Sequence, residues 1–131
     1  MFYFFLFFIL SCDSNNNQNI TILLGECTSS SDAIEYANSL YNCGDLEFLN
    51  DFSEYNLSFN NINLLNIGTQ SWSASGRFFN LILYDSGPVD FIPVSIENLD
   101  ALILLDLSSD NQSPGYLDYI PYEIGNLTNL V

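Results

Sequence analysis

Any chemistry in this chain has to come almost entirely from carboxylates, hydroxyls and amides. Sixteen acidic residues stand against a single basic residue, Arg77, and there is no His. That inventory offers no imidazole for acid–base work at neutral pH and no amine for a Schiff base or a phosphate. Neither a GxSxG elbow nor a Walker-type glycine loop occurs. Carboxylates alone could form a glycosidase-type pair, but here they are scattered over turn, cap and surface positions. The expectation is therefore a protein that is not an enzyme and carries no cofactor. Asp106-x-x-x-Asp110-Asn111 and Asp85-x-x-x-x-Asp90 could offer oxygens to calcium, yet neither has the spacing of an EF-hand loop. Solvated loop carboxylates are the simpler account, and no metal site is assigned. The formal net charge of -15 argues against nucleic acid, whose phosphates must be met by Lys and Arg. It argues equally against adhesion to an anionic membrane surface, and it favours cationic partners.

The three cysteines carry the next most specific chemistry. Residues 1–10 (MFYFFLFFIL) form an unbroken apolar run, too short to span a bilayer but of the length of a signal-peptide core. The step Ile9-Leu10-Ser11-Cys12 that ends it resembles a bacterial lipobox, which would make Cys12 a lipidated N-terminus. An ordinary cleaved signal peptide is the alternative. The polar stretch 13–19 then serves as a flexible tether. With Cys12 lipidated, Cys27 and Cys43 remain as a pair. In an exported protein they are most simply joined in one disulfide, worth on the order of 3 kcal/mol. A zinc site is excluded by the lack of His and of CxxC spacing.

These residues need elements to position them. Residues 20–24 (ITILL) read as a short strand or an apolar plug. Asp32 and Glu35 have capping-box spacing, and Ala33, Ile34, Ala37, Leu40 and Tyr41 recur with helical period, so a helix is expected there with Gly44 as its stop. A second helix is expected over Leu46, Leu49, Phe52 and Tyr55, with Asp45 and Glu47 near its N-terminus. Trp72 reads as a cap residue shielding the first repeat rather than as a ligand platform. The sequons at Asn19, Asn56, Asn111 and Asn126 matter only in a eukaryotic secretory pathway.

From Asn56 onward the chain repeats itself. Ile92-Pro93-Val94-Ser95-Ile96-Glu97-Asn98-Leu99 aligns with Ile120-Pro121-Tyr122-Glu123-Ile124-Gly125-Asn126-Leu127. Ahead of them stand Phe78-x-x-Leu81-x-Leu83 and Leu102-x-x-Leu105-x-Leu107, 24 positions apart. Alternate residues of such a strand point inward and those between point outward. These segments resemble the leucine-rich-repeat family, residues 120–130 being close to its plant-type consensus. Residues Asp45 to Arg77 resemble the N-terminal cap of bacterial surface members.

The resemblance implies an α/β repeat fold: a short solenoid of about two leucine-rich repeats over 77–131, with parallel strands on its concave face. It is preceded by a small helical N-terminal cap over 20–76 and by the signal and lipobox of 1–12. It also implies a binding surface made of Asn80, Ile82, Tyr84 and Asp85 in the first repeat, with Ile103, Leu104, Asp106, Ser108 and Ser109 in the second. A protein, peptide or glycan is the expected ligand, at the cell envelope, with the membrane reached only through a lipid anchor. The alternatives are a purely structural fragment of a longer repeat array and an acidic calcium-dependent surface protein. An uncapped last repeat would leave Leu105, Leu107, Ile120, Ile124 and Leu127 less buried than Phe78, Leu81 and Leu83, and open to self-association.

Overall fold

The computed structural model describes residues 24–84, 86–109 and 117–131. The longest element among them is a helix, α1, over Cys43–Tyr55. Asn42 caps it, the side-chain oxygen accepting from the Asp45 amide at 3.0 Å, and the chain leaves it at Asn56, whose amide donates to the Phe52 carbonyl. Leu46, Leu49 and Phe52, three residues apart, are fully buried together with Phe48, which is how a helix stripe at that spacing packs. Tyr55, expected on the same stripe, is exposed and lies against Phe91 instead. Gly44 does not end a helix. It lies in the first turn of one, where a Cβ would meet the Ser30 carbonyl at 2.9 Å.

The helix expected before it is absent. Ala33–Tyr36 (β1) and Ser39–Asn42 (β2) form an antiparallel hairpin, pairing Ile34 with Tyr41 and Glu35 with Leu40. Ala37 and Asn38 turn between them with positive φ, the backbone of a tight hairpin turn. Asp32 does not build a capping box with Glu35, because its carboxylate closes the preceding turn by accepting from the Thr28 amide and hydroxyl. The hairpin is tied at its open end: the Cys43 amide donates to Asp32 and the Asn42 amide to Gly76. Cys27 and Cys43 stand at disulfide distance, Cα atoms 5.8 Å apart, fastening the 3-10 turn Leu24–Glu26 to the start of α1.

A second sheet has the order β3 (Thr69–Trp72), β4 (Phe78–Ile82), β5 (Leu104–Asp106). β3 runs antiparallel to β4, and β5 parallel to it. The register shifts between Ser71 and Trp72, which face Asn80 and Phe78, so Phe79 is the extra residue of a bulge. The bulge explains the spacing Phe78-x-x-Leu81-x-Leu83, whose three apolar members are all buried while Asn80 and Ile82 are half exposed. The 24-position offset of the sequence repeat is the β4–β5 register itself, Asn80 opposite Leu104 and Ile82 opposite Asp106. Pro93 and Pro121 each lead into a 3-10 turn, Val94–Asn98 and Tyr122–Asn126, and the two turns pack together.

The architecture differs from the one expected. It is a small α+β fold with one helix and two small sheets among the described residues, not a leucine-rich-repeat solenoid behind a helical cap. Two copies of the repeat provide a single parallel ladder, and β5 is three residues long. The other partner of β4 is antiparallel β3, so no stack of repeats forms. Among its described residues the cap region holds one α-helix, one hairpin and β3 rather than two helices. Burial does fall toward the second copy, with Leu105, Leu107 and Ile124 half-buried and Ile120 exposed. Leu127 is the exception: the turn before it folds onto Val94–Asn98 and lodges it in the core.

Candidate functional site

The outward positions of β4 and β5 form one surface. Asn80 lies between Ser71 and Leu104, and Ile82 between Thr69 and Asp106, across the two ladders. Neighbours at such positions have side chains close enough to act on one ligand. Tyr84 follows β4 and is 55% exposed, and Leu104 of β5 and Ile103 just before it are exposed as well. The Asp106 carboxylate accepts from the Ser108 amide at 2.9 Å and from its hydroxyl, and these bonds hold the carboxyl below the ordinary carboxylate range. The face therefore offers an amide, two aliphatic side chains, a phenol and a carboxylate kept charged. Nothing in it is arranged as a nucleophile with a base.

Of the residues expected to bind, Asn80, Ile82, Leu104 and Asp106 are brought into one register, and Ser108 is tied to Asp106. Asp85 lies outside the described residues, as do Cys12, Asp110, Asn111 and the segments 1–12 and 13–19. For calcium, the described remainder gives little: no group of three or more His, Cys, Asp or Glu among the described residues could hold a metal ion. Of the sequon asparagines, Asn56 is fully buried, donating to the Phe52 and Phe91 carbonyls and accepting from the Asp90 and Phe91 amides. Its side chain staples α1 to the segment that leads into Pro93.

A second constellation went unpredicted. Asp45 is fully buried, and Arg77 grips both its carboxylate oxygens, at 3.0 and 3.1 Å. The Phe78 amide adds a third bond at 2.8 Å, and Arg77 reaches on to the Asn98 carbonyl and the Asp100 carboxylate. Burial pushes the Asp45 carboxyl up, while the guanidinium and the Phe78 amide pull it down. Hydrogen bonding to Asp45 keeps Arg77 firmly protonated. Together they join α1, the start of β4 and the turn after Pro93, and Arg77 lines a polar hollow with Ser30, Ser75, Glu97 and Asp100. The signal available in the sequence was that the sole cation sits one residue before the buried Phe78. Trp72 stacks on Phe78 and meets Tyr41 edge-on, with its ring N–H donating to Gln70.

Comparison with protein-family models, with curated proteins and with solved structures finds no match to this chain.

Proposed function

We propose that the chain is an extracytoplasmic, non-enzymatic binding module. It presents the outward face of β4 and β5 to a protein, peptide or glycan, with Cys12 as its lipid anchor or with the chain released. The observation that carries the reading is the β4–β5 register. It sets Asn80 beside Leu104 and Ile82 beside Asp106 on an open face flanked by exposed Tyr84. Mixed apolar, aromatic and hydrogen-bonding surfaces of this kind suit recognition. The Cys27–Cys43 pair supports an oxidising compartment, and the lack of His and Lys supports binding without turnover.

Ligands selected from peptide and glycan libraries against the full chain test this. Tyr84→Ala should weaken the selected ligands about tenfold, as loss of an aromatic anchor does. Tyr122→Ala, at a still more exposed tyrosine on the 3-10 turn, should leave them unchanged. Ligands that ignore Tyr84 and depend on Tyr122 would place recognition elsewhere.

A further inference from the structure

β4 is the middle strand of its sheet, its backbone paired with β3 on one side and β5 on the other. A ligand lying across its outward face therefore meets side chains only, and that face stays open whatever lies beside either edge. β3 adds two side chains that apolar spacing does not mark. Ser71 stands opposite Asn80 and Thr69 opposite Ile82, while their neighbours Gln70 and Trp72 turn to the other side, toward the Ile67 carbonyl and Phe78. Two rows result, Ser71–Asn80–Leu104 and Thr69–Ile82–Asp106. Members of a row lie about 4.8 Å apart and the rows about 7 Å, the scale of a single sugar ring.

The polar groups on these rows are spare. Thr69, Ser71 and Asn80 make no side-chain hydrogen bond among the described residues. Asp106 accepts both Ser108 bonds on one oxygen, Oδ1. Hydroxyls and an amide both donate and accept, and Ile82, Leu104 and Tyr84 lie among them as apolar surface. A pyranose ring has the matching make-up, with a C–H face and a rim of hydroxyls. Charge narrows the class. The Ser108 bonds keep the Asp106 carboxylate ionised, and the sole cation, Arg77, is committed to Asp45, Asn98 and Asp100. An acidic sugar finds nothing on this face to answer it, whereas an amine is drawn in by a chain of net charge -15.

We propose that the outward face of β3, β4 and β5 binds a glycan of pyranose rings bearing free amino groups, of the oligoglucosamine class. An ammonium group lies against Asp106, a ring face against Tyr84 and Ile82, and ring hydroxyls reach Asn80, Ser71 and Thr69. The proposal rests on the reading of the sheet as the binding surface and names its ligand.

The probe is a short glucosamine oligomer titrated into the full chain, with backbone amides followed by NMR. Its fully N-acetylated twin and an oligolysine of equal charge are the controls. The expected result is a set of shifts centred on Thr69, Ser71, Asn80, Ile82 and Asp106, with the N-acetylated twin bound about tenfold more weakly. Asn80→Ala and Ser71→Ala should each weaken the glucosamine oligomer about fivefold, the scale of one hydrogen bond. Asp106→Asn should weaken it about threefold, as loss of an exposed ion pair does. Oligolysine should respond to neither Asn80→Ala nor Ser71→Ala. No binding of the glucosamine oligomer, or equal binding of its N-acetylated twin, overturns the proposal. So does a glucosamine oligomer that is indifferent to Asn80→Ala and Ser71→Ala, since it then adheres as any polycation would. Library peptides that require Tyr84 and are not displaced by the glucosamine oligomer sink the glycan but keep the sheet-face reading, while library ligands indifferent to Tyr84 sink that reading by themselves.

Discussion

A carboxylate buried as completely as Asp45 persists in a core only when its charge is answered in place, since an unpaired buried ion costs several kcal/mol. Arg77 answers it with both arms of a planar fork, a geometry lysine cannot reproduce. Arg77→Met keeps the aliphatic stem and removes the charge. It is expected to lower the unfolding free energy by about 3 kcal/mol at neutral pH, measured by urea denaturation. The pH dependence gives the mechanism away. Burial already holds the Asp45 carboxyl above the ordinary carboxylate value, and without Arg77 only the Phe78 amide is left to pull it down, so it rises further. The folded state then binds the proton more tightly than the unfolded state, so stability falls as pH rises through that window. The deficit relative to the parent chain should therefore shrink in mild acid, as Asp45 becomes neutral. A deficit that stays constant from mild acid to neutrality would assign the loss to side-chain packing instead. The pair was not legible in the sequence because its members are separated by 32 positions, and nothing local marks Asp45 as more than a helix N-terminal acid.

At the scale of elements, the hairpin shows why apolar spacing misleads. Residues 33, 34, 37, 40 and 41 fit a helix, but only Ile34 of them is buried, and Leu40 is 42% exposed. What decides lies outside the two strands: the bonds from Cys43 to Asp32 and from Asn42 to Gly76, and the Cys27–Cys43 tie, fasten the hairpin to the start of α1 and to the turn before β4. The turn contributes little, since Ala37 sits at φ 49 against the steric preference of its Cβ. Ala37→Gly should accordingly stabilise the chain by about 0.5–1 kcal/mol, the relief of the left-handed conformation offset by the greater freedom of unfolded glycine. Thermal unfolding would show it as a rise in midpoint, and a fall would mean that the turn is not left-handed in solution. By contrast α1 was legible, because Leu46, Leu49 and Phe52 serve a single buried stripe. So were the inward and outward positions of β4 and β5, fixed by the alternation around Leu81 and Leu105. The architecture was not, because a sequence repeat reports which segments pair and not what lies on the other side of them. Here β3 takes the far side of β4 and runs antiparallel.

For the molecule as a whole, two gradients set where it opens. The first is burial: Phe78, Leu81 and Leu83 are at most 1% exposed, whereas Leu105 and Leu107 are half-buried. β4 is flanked by strands on both sides, and β5, among the described residues, by one strand and a bond from Val131. Amides of β4 can exchange only when the core itself opens, while those of β5 need lose only a short ladder. The second is charge: a net charge of -15 repels itself throughout the folded state, and that repulsion is relieved by screening. Native-state hydrogen exchange separates the two. The Leu105 amide should exchange at least about tenfold faster than the Leu81 amide, a gap of about 1.4 kcal/mol in opening free energy. Raising salt from about 0.01 M to about 0.3 M should slow Leu81, whose exchange follows the global stability that screening restores. Leu105 should respond less, because opening a three-residue edge strand separates few charges. Equal protection of the two amides would mean that β5 belongs to the same cooperative unit as β4. The edge would then be as firmly closed as the core.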